Sequence, residues 1–163
     1  MKDRRKYGVI GRHISHSLSP ELHGIFARYT RPYYYERLDL EEHELEGVIR
    51  NTEYSGFNVT SPNKRTVIPF LDELTPEAEA LQAVNTIRRL GNGRLVGHNT
   101  DVYGFEKLAK EKRIRGRKVL VLGTGGASSA ICQALRNLGA KEIIRVSRNR
   151  RPEPDCCTYD ELN

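Results

Sequence analysis

The run Gly56-Phe57-Asn58-Val59-Thr60-Ser61-Pro62-Asn63-Lys64 puts a hydroxyl and an amine where a short β-prone stretch breaks at a proline. Pro62 fixes φ and suits the first turn of a helix, so Lys64 is expected at a strand-to-helix turn. In open α/β sheets ligands sit in loops at the carboxyl ends of strands, which makes an amine held there a candidate for chemistry; a solvated surface charge is the plainer alternative. Ser17 and Ser19 form a second cluster. Ser19-Pro20 reads as the N-cap and first residue of a helix, and its free N–H groups converge with both hydroxyls where an anion would bind. Capping alone accounts for Ser19, whereas Ser17 beside it favours a carboxylate. Asp101, in Asn99-Thr100-Asp101, either caps the following helix or faces a ligand.

A third group is Gly123-Thr124-Gly125-Gly126-Ala127-Ser128, between the apolar run Val119-Leu120-Val121-Leu122 and a helix-patterned stretch ending at Gly139. Strand, glycine turn and helix N-terminus together make a cradle for a pyrophosphate, so this is a variant dinucleotide fingerprint with Ser128 at its third small-residue position. The next strand, Glu142-Ile143-Ile144-Arg145-Val146-Ser147, is followed by Arg148-Asn149-Arg150-Arg151. No carboxylate stands there to take a ribose hydroxyl, and guanidinium groups match a 2′-phosphate, so the turn favours NADP over NAD unless it is only a solvated basic turn.

The elements that must hold these groups follow from patterning. Tyr7-Gly8-Val9-Ile10 reads as a buried strand, and Leu22, Ile25 and Phe26 recur at helical spacing as the core face of the helix after Ser19. A second strand spans 33–38, an acidic-started helix about 40–50, and a third strand 56–59. This alternation implies parallel pairing. A helix is expected from Pro62, another over 71–81, a strand over 83–88, and a hairpin at Gly91-Asn92-Gly93 into 94–97. A helix should run from Asp101 to about residue 112, and the Val119–Leu122 run reads as a strand buried on both faces.

With 163 residues and a formal net charge of +6, the chain can bury a real core and favours acidic partners. Its positive clusters, 110–118 and 145–151, lack the interleaved aromatics of a single-strand binder, so an anionic small molecule is preferred to nucleic acid. No apolar run spans a bilayer and no signal core follows the basic N-terminus, which reads as a cytoplasmic protein without a membrane partner. Cys132, Cys156 and Cys157 form neither a disulfide framework nor a metal site. His13, His16, His23, His43 and His98 show no zinc-like grouping and read as turn or surface residues.

Taken together, Ser17-Leu18-Ser19-Pro20, Asn58-Val59-Thr60-Ser61-Pro62-Asn63-Lys64, Ala83-Val84-Asn85-Thr86, Asn99-Thr100-Asp101 and Gly123-Thr124-Gly125-Gly126-Ala127-Ser128 resemble the shikimate dehydrogenase family in order and spacing. The resemblance implies an α/β protein with an N-terminal substrate-binding and catalytic domain over 1–112 and the first part of a Rossmann-like NADP-binding domain over 113–163. It implies reversible NADPH-linked reduction of 3-dehydroshikimate to shikimate, a step of aromatic amino-acid biosynthesis. Ser17 and Ser19 would hold the substrate carboxylate, and Thr60, Asn85, Lys64 and Asp101 would surround its ring hydroxyls, with Lys64 and Asp101 as the catalytic pair. Gly123, Thr124, Gly125, Gly126 and Ala127 would bind the pyrophosphate, and Ser147, Arg148, Asn149, Arg150 and Arg151 the adenosine phosphate. Leu18, Ser61 and Ser147 depart from the commonest family residues. From 117 onward there is room for two strands, one helix and a tail, where the family continues through a second half. The chain therefore also reads as a truncated module that binds a shikimate-like hydroxy acid silently, or as a quinate-active, NAD-using relative. An open sheet edge is association-prone, and a homodimer would be one outcome.

Overall fold

Tyr7 to Ile10 lie in strand β1 (Lys6–Gly11) of the computed structural model, which describes residues 5–149 and 151–162. The chain then forms helix α1 (Ser19–Tyr29), β2 (Tyr34–Asp39), a 3-10 turn at Glu42–Glu44, α2 (Leu45–Arg50), β3 (Tyr54–Val59), a second 3-10 turn at Ile68–Phe70, β4 (Glu73–Leu74), α3 (Pro76–Leu81), β5 (Thr86–Arg89) and β6 (Leu95–His98). These strands make one mixed sheet in the order β2-β1-β3-β5-β6-β4. β1 runs parallel to both neighbours, as the βαβαβ pattern requires, and β3-β5-β6 are antiparallel around the Gly91-Asn92-Gly93 turn.

Ile10, Leu45, Ile49, Val67, Val84, Ile87 and Leu95 are each at most 1% exposed and centre the core of this unit. Complete burial of such a side chain contributes roughly 1.5–3 kcal/mol. Leu45 and Ile49, four apart on α2, supply its buried face. α3 has clear local determinants: the Thr75 hydroxyl accepts the Ala78 N–H, Pro76 occupies the first turn, and Gln82 closes the helix in the left-handed region at φ +48°.

Four expectations are corrected in this unit. α1 buries none of its residues, and Leu22, Ile25 and Phe26 are about half exposed, because the helix meets the sheet through polar and aromatic side chains. Leu18, rather than Ser19, is the residue before its first turn. After β3 no α-helix starts at Pro62: the Ser61–Pro62 peptide is cis and the chain runs through turns to the 3-10 segment. Finally, 71–81 is divided by β4, whose pairing with β6 is non-local.

Residues Met1–Asn99 form this first unit and Thr100–Asn163 a second. The second contains α4 (Asp101–Ala109), β7 (Lys118–Leu122), α5 (Ser128–Asn137), β8 (Glu142–Ser147) and β9 (Cys156–Thr158). Its strands are parallel in the order β7-β8-β9. Val121, Cys132 and Leu135 are its buried centre, with Phe105, Ile114, Val119 and Ile143 packed around them. Gly139, at φ +80°, ends α5 in the left-handed conformation its sequence position suggests. The tail thus yields a third strand, fixed in part by Arg145, whose guanidinium donates to both Asp155 oxygens at 2.6 and 3.1 Å. Leu120 and Leu122 are 46% and 68% exposed, so β7 is not covered on both faces. All three cysteines are free, and no helix among the described residues is long and apolar enough to cross a membrane.

Candidate functional site

Because β1 and β3 are adjacent and parallel, their carboxyl ends open at the same edge of the sheet. The loop after β1 carries Ser17 and leads into Ser19, the first residue of α1, and the turn after β3 carries Thr60 and Lys64. Sequence-distant motifs are joined there through the backbone. Thr60 N–H donates to Ile10 O at 2.9 Å, Val59 N–H to Asn85 O at 2.8 Å, and Val84 N–H to Lys64 O at 2.8 Å. The Thr86 hydroxyl donates to Asn85 Oδ1 at 3.0 Å. Lys64, Asn85 and Thr60 are all half-buried, and Asn63 between them is 4% exposed. One edge therefore presents a hydroxyl, an amide and an amine on a frame fixed by hydrogen bonds.

Ser17 and Ser19 are coupled directly. Ser17 Oγ donates to Ser19 Oγ at 3.2 Å and accepts the Ser19 N–H at 3.3 Å. Their loop is anchored by β2, a role the sequence did not reveal. Asp39 accepts the His13 and Ile14 N–H groups at 2.8 and 3.1 Å. Arg37 donates to Ser17 O at 2.8 Å and to Glu21 at 2.6 Å. His23 is no surface residue: it is half-buried, stacked on Tyr35, with Nδ1 2.9 Å from the Tyr33 hydroxyl. Burial lowers its pKa below the ordinary histidine value, partly offset by a hydrogen bond with Asn58. Burial likewise pushes the Tyr35 phenol upward. The available signal for His23 was its spacing of one helical turn from Ser19.

In the second unit Asp101 is the first residue of α4 and half-buried, and Thr100 precedes it without capping through its side chain. The glycine turn connects β7 to α5. Gly123, at φ +114°, donates its N–H to Val146 O at 2.8 Å, extending the β7–β8 ladder into the turn. A methyl group added at Gly123 or Gly125 would meet nothing within 4 Å, so the backbone here faces open space rather than packed protein. Ala127, before the first turn of α5, provides no side-chain cap, and the Ser128 hydroxyl is buried without a hydrogen-bond partner. A helix start with this open glycine approach fits a pyrophosphate. After β8, Ser147 is buried, with its hydroxyl 3.4 Å from the Asn149 N–H, while Arg148, Asn149 and Arg151 are exposed. Arg150 lies outside the described residues. Asp155, which follows this turn, is engaged by Arg145 of β8.

A mixed α/β substrate-binding fold followed by a Rossmann-type strand–turn–helix defines the class. Residues 9–87 match the family model described as the shikimate dehydrogenase substrate binding domain. The chain is 41% identical over 152 residues to the shikimate dehydrogenase (NADP(+)) of Bacillus cereus strain G9842, covering 89% of this chain and 54% of that protein. The crystal structure of shikimate dehydrogenase 1 from Peptoclostridium difficile superimposes with a TM-score of 0.87 at 30% identity, over 97% of this chain and 62% of that one. That of shikimate 5-dehydrogenase from Thermus thermophilus in complex with NADP(H) and shikimate gives 0.77 at 35% identity, over 89% and 56%. Over residues 9–87 the chain thus matches the substrate binding domain of shikimate dehydrogenase, and it spans about half the length of the curated relatives it matches.

Proposed function

We propose that this chain provides the substrate site and the opening of the cofactor site of an NADP-dependent shikimate dehydrogenase that interconverts 3-dehydroshikimate and shikimate. The observation that carries this is the family match over 9–87, a span that contains Ser17, Ser19, Thr60, Lys64 and Asn85. In this reading residues 1–112 bind substrate and carry catalysis, and 113–163 begin the NADP domain. It acts on a small hydroxy acid rather than nucleic acid, in the cytoplasm. A homodimer is the proposed assembly, to be read by sedimentation.

Ser17 and Ser19 hold the carboxylate with their hydroxyls and the first N–H groups of α1. Thr60 and Asn85 bind ring hydroxyls. Forming the alcohol leaves an alkoxide that must gain a proton, and oxidation removes the same proton. Lys64 delivers and takes that proton at the reacting oxygen and stabilises its charge. For Asp101 we propose the family's second catalytic role. Gly123, Thr124, Gly125, Gly126 and Ala127 would hold the cofactor pyrophosphate, with Ser147, Arg148, Asn149, Arg150 and Arg151 around the 2′-phosphate. When bound there, NADP(H) supplies or accepts the hydride.

Titration of shikimate into the folded chain tests the substrate half. Binding that weakens at least about tenfold in the Ser17→Ala/Ser19→Ala variant, which loses two charge-assisted hydrogen bonds, supports the assignment. Equal binding by the variant removes it. Titration of NADP and NAD separately tests the basic turn, which must favour NADP.

A further inference from the structure

The basic run 110–117 has no part in the sites described above. Lys110, Lys112, Arg113, Arg115 and Arg117 line one open cavity of about 540 Å³, together with Ile114 and the end of α5 at Asn137 and Leu138. All five of these cations are exposed, and none forms an ion pair or a side-chain hydrogen bond among the described residues. No carboxylate lines the cavity. The acids nearby are engaged with other partners: Glu142 pairs with Lys118 at 3.1 Å, and Glu106 accepts from Asn137 Nδ2 at 2.6 Å. Like charges gathered without counter-ions repel one another, and an anion held between them relieves that cost.

A purely structural role would have these cations serve the carbonyls at the end of α5. Backbone donors already fill that place. The carbonyls of Ala134, Leu135 and Arg136 accept the N–H groups of Leu138, Ala140 and Gly139 at 2.9, 3.0 and 2.9 Å, and Gly139 O accepts the Gly116 N–H at 2.8 Å. The loop itself is fixed. Arg117 donates its N–H to Ile114 O at 3.0 Å, its carbonyl accepts the Lys141 N–H at 2.8 Å, and Ile114 packs on the core of Val121, Cys132 and Leu135. A Cβ at Gly139 would stand 3.4 Å from Arg115 Cγ and 3.5 Å from its Cζ, so the glycine leaves Arg115 room to lie over the end of α5.

The cavity and the glycine turn lie at opposite ends of β7. Residues 110–117 precede Lys118, where the strand begins, and Gly123 follows Leu122, where it ends. Since β7 and β8 are parallel, the 147–151 turn lies at the Gly123 end. Strand rise puts roughly 15 Å between the two ends, so no single phosphate touches both. We propose that this cavity is a second anion site, separate from the cofactor turn, that binds a small oligophosphate. Guanidinium groups take phosphate oxygens in forked pairs, and the lysine amines add point charges. A single phosphate ester carries about two negative charges at neutral pH, too few for this cluster, whereas a short chain of phosphates matches it. The lining holds no aromatic ring on which a base could stack, which favours the phosphates themselves over a nucleic-acid strand.

Inorganic tripolyphosphate is titrated calorimetrically into the unsubstituted chain and into two variants, Arg113→Gln/Arg115→Gln/Arg117→Gln and Arg148→Gln/Arg151→Gln. The first variant should bind at least about tenfold more weakly, having lost several charge-assisted hydrogen bonds, and the second should bind as the unsubstituted chain does. Removing like charges relieves repulsion, so the first variant should remain folded, which circular dichroism checks. Should it unfold, Arg113→Lys/Arg115→Lys/Arg117→Lys decides, because it keeps the charge and loses the forks: weaker binding upholds the proposal and equal binding overturns it. No binding by the unsubstituted chain, equal binding by the first variant, or a loss confined to the second also overturns it. A single-stranded oligonucleotide that binds more tightly than tripolyphosphate, with the same dependence on Arg113, Arg115 and Arg117, overturns the oligophosphate in favour of nucleic acid.

Discussion

The carbonyl of Lys64 accepts the Val84 N–H at 2.8 Å, tying the turn after β3 to the segment that enters β5. Val84 is fully buried, and the next residue, Asn85, accepts the Val59 N–H at 2.8 Å. The amine and the amide of the candidate site are therefore held by one pair of backbone bonds. Val84→Pro removes the donor and should cost about 3 kcal/mol or more of stability. Val84→Ala keeps the bond and loses only packing, about 2 kcal/mol. Chemical denaturation orders the two. Shikimate binding, measured where both are folded, should suffer more in the proline variant.

Gly125 and Gly56 separate ligand approach from protein packing. A Cβ on Gly56 would stand 2.5 Å from Ile87 O on the paired strand, whereas one on Gly125 meets nothing within 4 Å. Gly56→Ala should destabilise by about 1–3 kcal/mol. Gly125→Ala should melt as the unsubstituted chain does and still lose roughly tenfold or more in NADP affinity, as expected where a glycine admits a pyrophosphate. Retained NADP affinity would remove the glycine turn from the cofactor site.

His23 gives the first unit a pH dependence with a defined sign. Its folded-state pKa lies below the ordinary value because burial disfavours the charged ring, so between the two values the unfolded chain binds more protons. Stability is fully present above about pH 6.5, the unfolded value, and is lost as pH falls through the lowered folded value. Facing the ring are Tyr33 just before β2, Tyr35 within it, Asn58 from β3 and Phe26 from its own helix, none of them an ionised acid. Thermal melts between pH 7.5 and 5, a window of about that range around the histidine value, should fall less steeply in His23→Gln.

In the second unit Arg145 and Asp155 join β8 to the approach of β9. The forked contact holds the Asp155 carboxyl below the usual carboxylate range. Asp155→Asn should lower stability by about 1 kcal/mol, a figure already reduced for its partial exposure to solvent. The difference from the unsubstituted chain should vanish as acid titrates the carboxyl through its lowered pKa. A pH-independent difference would show that the pair contributes through shape alone.

Much of the frame was legible because its signals are local. β1, β2 and β3, the hairpin at Gly91-Asn92-Gly93 and the glycine turn after β7 follow from alternation, turn chemistry and apolar runs. β4 and β9 were missed because two- and three-residue strands exist only through partners distant in sequence, Val96-Gly97 for one and 145–147 for the other. The periodicity of Leu22, Ile25 and Phe26 correctly indicated a helix but not its buried side, since His23 on Tyr35 makes the contact instead. Arg37 and Asp39 went unread as anchors of the serine loop for a similar reason: their targets lie 20 to 26 residues earlier in the chain.

The most direct measurement is nicotinamide absorbance after the folded chain is mixed with shikimate and NADP. The account predicts reduction of NADP, slowed about 100- to 10,000-fold by Lys64→Ala with shikimate binding retained, as expected for loss of a general acid–base group. Reduction at an equal rate in Lys64→Ala would contradict the role given to that amine. No reduction by a folded chain that binds shikimate would contradict the dehydrogenase reading for these 163 residues and leave a substrate-binding module.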